Sequence, residues 1–142
     1  MDRPEPYLPP NWMQAHVGNR MALLFGRRFV SLLTVRGRRT GKPHQVPVAV
    51  LDLDGDRYLL APRGSTHWVR NLRAAGAGEL RRGGSAHSFR AVEVPVEERA
   101  PLIAAYRRRF DRFPSVAATF EQLPDPADHP TFRLQESEPA ET

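Results

Sequence analysis

A chain of 142 residues is long enough for one domain with a real hydrophobic core. The absence of cysteine excludes a disulfide framework, a thiolate nucleophile and a Cys-ligated metal. Twenty-one Lys and Arg against 16 Asp and Glu give a formal net charge of +5, but Lys42 is the only lysine and the arginines are scattered, so the total argues little for a nucleic-acid partner.

The first ten residues, MDRPEPYLPP, read as a proline-rich extended arm. From Asn11 to Gly26, Met13, Val17, Met21, Leu24 and Phe25 fall on one stripe at helical spacing, which predicts a helix packed on a core. Peripheral membrane contact is its second reading. No charged segment followed by an apolar stretch opens the sequence, and no apolar run approaches the ~20 residues of a membrane span, so the expected location is the cytoplasm.

Strand signals follow at Phe29–Val35, Gln45–Asp54 and Arg57–Pro62, with Asp54-Gly55 marking a hairpin between the last two. Thr66 to Gly76 reads as a short helix, capped by Thr66 and ended by Gly76. GELRRGG and SAHSFRAVEVPV form a hairpin across Gly83-Gly84. Two late helices are marked by Leu102, Ile103, Tyr106 and Phe110, then by Val116, Phe120 and Leu123. HPTFRL supplies a last strand, and residues 136–142 form an acidic, disordered tail. The connections between strands are too short for parallel crossovers. The expected fold class is α+β: one domain over residues 11–135, a mostly antiparallel barrel flanked by helices.

The segment VRGRRTGKPHQVPVAV, Val35 to Val50, crowds Arg36, Arg38, Arg39 and Lys42 between two apolar runs. A bare turn needs only Gly, Asn or Asp. Gly37 and Gly41 let backbone amides face a ligand, Arg38 and Arg39 offer forked contacts, and Thr40 adds a hydroxyl. With Lys42, the set suits a phosphate or several carboxylates. The plainer reading is a solvated turn whose charges discourage edge-to-edge sheet pairing. GRRTGK is not a phosphate-binding P-loop: its glycines are one residue too close, a proline follows the lysine, and a strand follows where a helix must start.

A second anchor lies in APRGSTHWVRNL, where Arg63 precedes a helix N-terminus with its unpaired N–H groups. On that helix Trp68, Asn71, Leu72 and Ala75 share a face. Plainly read, Trp68 packs and Asn71 bonds a loop carbonyl. His67 is either a proton donor or a solvent-facing residue at the helix start. His16, His87 and His129 lack metal-ligand spacing, and no catalytic residue is assigned.

LLTVRGRRTGKPHQVPVAV, DGDRYLLAPRG, HWVRNLRAAG and HPTFRL together resemble the deazaflavin-dependent nitroreductase and quinone reductase family. The likeness runs from about Leu32 to Leu72, with an echo at Pro130 to Leu134. It implies a split β-barrel and, as coenzyme, the 8-hydroxy-5-deazaflavin F(420) in preference to FMN. The resemblance also implies hydride transfer to a small-molecule electron acceptor: a quinone, nitroaromatic or activated enone. Carried over by motif, Arg38, Arg39, Thr40, Gly41 and Lys42 meet the acidic tail of the coenzyme, and Pro47 lies beside its ring. Arg63 and Gly64 lie near its phosphate, and Trp68 and Asn71 match the family's helix. The sequence departs from the family at His44, at Ala49 and over Pro62 to Ser65.

An alternative keeps the groove but not the chemistry: a non-catalytic binder of an apolar, fatty-acid-like or other anionic ligand. A nucleic-acid binder ranks last, because no aromatic residues interleave with the basic turn. The expected oligomeric state is monomer or homodimer.

Overall fold

The computed structural model describes residues 30–136. The expected arm, first helix and acidic tail beyond residue 136 lie outside them. Val30–Arg36 (β1), Pro43–Leu53 (β2) and Asp56–Leu60 (β3) come first, followed by the helix His67–Ala75 (α1). Ala77–Arg82 (β4) and Ser85–Glu93 (β5) form the next hairpin. Two helices, Arg99–Phe110 (α2) and Pro114–Gln122 (α3), precede the last strand, Thr131–Glu136 (β6). From β1 onward this is the expected order of elements.

The strands pair antiparallel in the order β1-β2-β3-β6-β5-β4, and β4 returns to β1 to close a barrel. The β2–β3 turn carries Asp54 at φ 53° and Gly55 at φ 85°, the left-handed pair that matches the twist of a two-residue hairpin. A closed barrel has no free strand edge. Edge protection therefore does not explain the charges in the β1–β2 turn.

Strand alternation divides the apolar side chains between two clusters. Leu33, Val35, Leu59, Leu80, Phe89, Phe132 and Leu134 fill the barrel. Leu51 and Leu60 face the other way and pack with Tyr106, Phe110, Val116 and Phe120 beneath α2 and α3. Leu59 and its neighbour Leu60 thus serve different cores.

The first described helix, α1, connects β3 to β4, strands that are not neighbours, and so crosses one end of the barrel. Val69 and Leu72 insert into the barrel cluster, and each buried side chain contributes about 1.5–3 kcal/mol. Two expectations for α1 need correction. Thr66 sits at the N-cap with extended backbone, but its hydroxyl makes no capping bond. Backbone bonds fix the helix entry instead: Thr66 N–H donates to the Gly64 carbonyl at 2.8 Å and Arg70 N–H to the Thr66 carbonyl at 3.2 Å. Ala75 does not share the buried face: residues 73–76 are exposed, and Arg73 pairs with Glu93 of β5 at 2.7 Å. Gly76 ends the helix as expected, at φ 70°.

Candidate functional site

The basic turn is a closed loop. Gly37 N–H donates to the Lys42 carbonyl at 2.8 Å, and Gly41 N–H donates back to the Gly37 carbonyl at 2.9 Å. Gly41 takes φ 75°, a region that costs other residues strain. A Cβ on Gly37 would meet His44 Nε2 at 2.7 Å, so only glycine lets the imidazole lie against the backbone there. The Lys42 N–H donates to the Thr40 hydroxyl at 3.3 Å.

This turn meets α1 directly. Asn71 Oδ1 accepts from the backbone N–H of Arg38 at 3.1 Å and from its Nη1 at 2.7 Å. Arg38 Nη2 lies 3.4 Å from His67 Nδ1. The two anchors, separate in sequence, therefore border one cavity of about 520 Å³. Arg38, Arg39, Thr40, Arg63, Trp68 and Asn71 line it. Its apolar lining is Val35, Val46 and Trp68, which belong to or pack on the barrel core. Its basic lining is joined by the N-terminus of α1, whose first turn contains no acidic residue.

Four of the expected site residues stand apart from the cavity lining. Gly41 and Lys42 are exposed at the far side of the turn, and Gly64 is buried behind Arg63 with φ 86°. Pro47 is exposed on β2, on the face opposite Val46 and Val48, which pack on the barrel core. His44, Gln45, Thr66 and His67 line the cavity without having been singled out as ligand contacts. The alternation of β2 could have placed His44 with Val46; nothing local marks Thr66. Its hydroxyl is buried with no hydrogen-bond partner among the described residues, although the residue lines the cavity. An orphaned buried hydroxyl is costly, which favours a polar ligand beside it.

His129 is used structurally. Its ring is buried, with Nδ1 at 2.9 Å from the Ala61 carbonyl oxygen and Nε2 facing that of Leu123. Ala61 N–H in turn donates to the Pro130 carbonyl at 3.0 Å, which fastens the loop carrying Arg63 to the start of β6. No group of three or more metal-ligating side chains occurs among the described residues. Nor is any described helix long and apolar enough to cross a membrane.

A polyanion with an apolar ring system suits this cavity, whose lining joins arginines and a helix N-terminus with valines and a tryptophan. Solved structures share the fold. The structure of an F420-H2 dependent reductase superposes with a TM-score of 0.56 at 20% identity, covering 76% of this chain and 95% of that one. The heme storage protein HutZ from Vibrio cholerae gives 0.53 at 17% identity, covering 87% and 92%. A domain-swapped dimer gives 0.58 at 18% identity, covering 90% and 100%. No curated protein matches the chain. The family model described as F420H(2)-dependent quinone reductase matches residues 11–123, most of the chain, and the protein accordingly belongs to that family of deazaflavin-dependent oxidoreductases.

Proposed function

We propose that this chain binds the reduced deazaflavin F(420) in the cavity between the β1–β2 turn and α1, and reduces a quinone there. The observation that carries the reading is one cavity lined by both cationic and apolar side chains: Arg38, Arg39 and Arg63 with the Thr40 hydroxyl, and Val35, Val46 and Trp68. The oligoglutamate tail lies toward Arg39 and Lys42, whose charges extend the basic lining along the turn. Arg63 and the first amides of α1 hold the phosphate, with the Thr66 hydroxyl beside them.

Bound coenzyme supplies a hydride to the acceptor. The chain's own contribution is positional: Trp68 and Val46 present an apolar surface for a flat ring and exclude water from it. Trp68 is itself held by the core, its ring 6.2 Å from that of Phe132. Nitroaromatic compounds and activated enones fall within the same substrate class, as flat acceptors that take a hydride. The fold also serves the heme storage protein, so fold alone does not select a reductase. Family membership and the basic turn favour one over a non-catalytic binder of apolar ligands.

A fluorescence titration with oxidised coenzyme tests the reading, with saturation expected at about 10 μM or below, some 7 kcal/mol of binding energy. Absence of binding at ten times that concentration overturns it. Turnover with a soluble quinone, nitroaromatic and enone then ranks the acceptors, and the quinone is expected to be fastest.

A further inference from the structure

Four like charges in one turn should push its side chains apart, yet Arg38 is folded back onto α1. The group that holds it is Asn71, itself only 5% exposed. Asn71 Oδ1 accepts at 3.1 Å from the Arg38 backbone N–H and at 2.7 Å from Nη1, so a single residue takes both acceptor positions of that oxygen. One bond fixes the backbone of the turn, the other the side chain. The far end of the guanidinium reaches His67 Nδ1 at 3.4 Å, one helical turn before Asn71.

We propose that Asn71 is a positioning residue and Arg38 its strut. Together they set the spacing between turn and helix, so that Arg39, Thr40 and Lys42 are presented to the anionic end of the ligand. Arg38 then acts through the geometry of the turn instead of as a ligand contact. A neutral amide suits the task because it holds a cation without cancelling its charge, which keeps the cavity electropositive. An aspartate would hold Arg38 equally well and remove one unit of positive potential. The inference rests on the coenzyme-binding reading for its effect on affinity, but the clamp itself is a property of the free protein.

Two variants, Asn71→Ala and Asn71→Asp, decide it. Affinity for oxidised coenzyme is expected to fall about tenfold in Asn71→Ala, the loss of roughly one well-placed hydrogen-bonded contact. Asn71→Asp keeps both Arg38 bonds but removes one unit of positive potential, so its affinity is also expected to fall. Its difference from the parent should shrink as added salt screens the charge, whereas the loss in Asn71→Ala persists. Unchanged affinity in Asn71→Ala, or a loss in Asn71→Asp that salt does not reduce, as when Asn71 donates its own N–H to the ligand, overturns the proposal. Amide hydrogen exchange at Arg38 in the coenzyme-free protein supplies the second readout. Exchange is expected to be slow in the parent and Asn71→Asp and faster in Asn71→Ala; equal exchange in all three overturns the clamp even if coenzyme binds. Parent protein that binds no coenzyme rejects the functional reading alone and leaves the exchange result to judge the clamp. Should Asn71→Ala fail to fold, Asn71→Ser takes its place, since a serine hydroxyl is too short to reach both Arg38 donors.

Discussion

Two arginine-rich runs look alike in the sequence, Arg36 to Lys42 and Arg107 to Arg112, and the fold gives them opposite circumstances. The second run ends α2, where positive charge complements the helix dipole. Arg107 donates to Asp111 at 2.9 Å and lies 5.2 Å from the centre of the Phe120 ring. Arg109 lies 5.6 Å from the centre of the Phe110 ring and Arg112 5.1 Å from that of Phe113. These cations have carboxylate and aromatic partners already. In the first run, no carboxylate among the described residues pairs with Arg38, Arg39 or Lys42. Arg38 is held instead by the neutral amide of Asn71, with His67 Nδ1 at 3.4 Å, and Arg38 and Arg39 line a cavity. The lesson is that a charge cluster suggests a ligand when the fold leaves it without a counter-charge.

The largest effect that sharpens this contrast is on stability. Phe120→Ala removes an aromatic ring from the outer core and should cost about 3–5 kcal/mol in denaturant unfolding, while coenzyme affinity per folded molecule stays unchanged. An affinity loss matching the stability loss would mean that the two regions are not independent.

The next effect is on binding. Arg38→Ala with Arg39→Ala should weaken coenzyme binding by about 2 kcal/mol, roughly thirtyfold, whereas Arg107→Ala should leave it within about twofold. Equal losses would break the comparison outright. The parent's affinity should also fall with added salt, because Arg39 and Lys42 are exposed and readily screened.

Gly41→Ala tests the shape of the turn with its charges intact. At φ 75° a side chain is strained by about 1 kcal/mol, although no atom stands within 4 Å of the new Cβ. A small fall in melting temperature together with a several-fold loss of affinity is expected. Unchanged affinity would show that charge alone matters there.

The smallest effect appears only in alkali. Burial of Tyr106, on the inner face of α2, pushes its phenol above the ordinary tyrosine value. Unfolded tyrosine ionises near pH ~10, so above that pH the unfolded chain releases a proton that the folded chain keeps, and stability falls as pH rises. Below pH ~10 this contribution is fully present. Tyr106→Phe should therefore move the alkaline unfolding midpoint upward, with little change near neutrality. A midpoint that stays put would mean another group governs alkaline unfolding.

Local chemistry made much of the molecule legible in advance. Period-two apolar runs, Asp54-Gly55, Gly83-Gly84 and Gly76 located strands, hairpins and a helix end, because each acts through residues a few positions apart. Crowded charges with two glycines likewise identified the β1–β2 turn as unusual. What lay beyond reach was every relation across the barrel: that β4 closes on β1, that Leu59 and Leu60 belong to different cores, that Pro47 faces away from the cavity. Thr66 misled for the same reason, since a good capping residue was left without its capping bond. Above all, the bond between Arg38 and Asn71 spans 33 positions. Composition and spacing determined which charges were available; only the closed barrel, with α1 laid across its end, decided which were anchored beside a cavity, because contacts at such separation are made by packing and not by neighbouring residues.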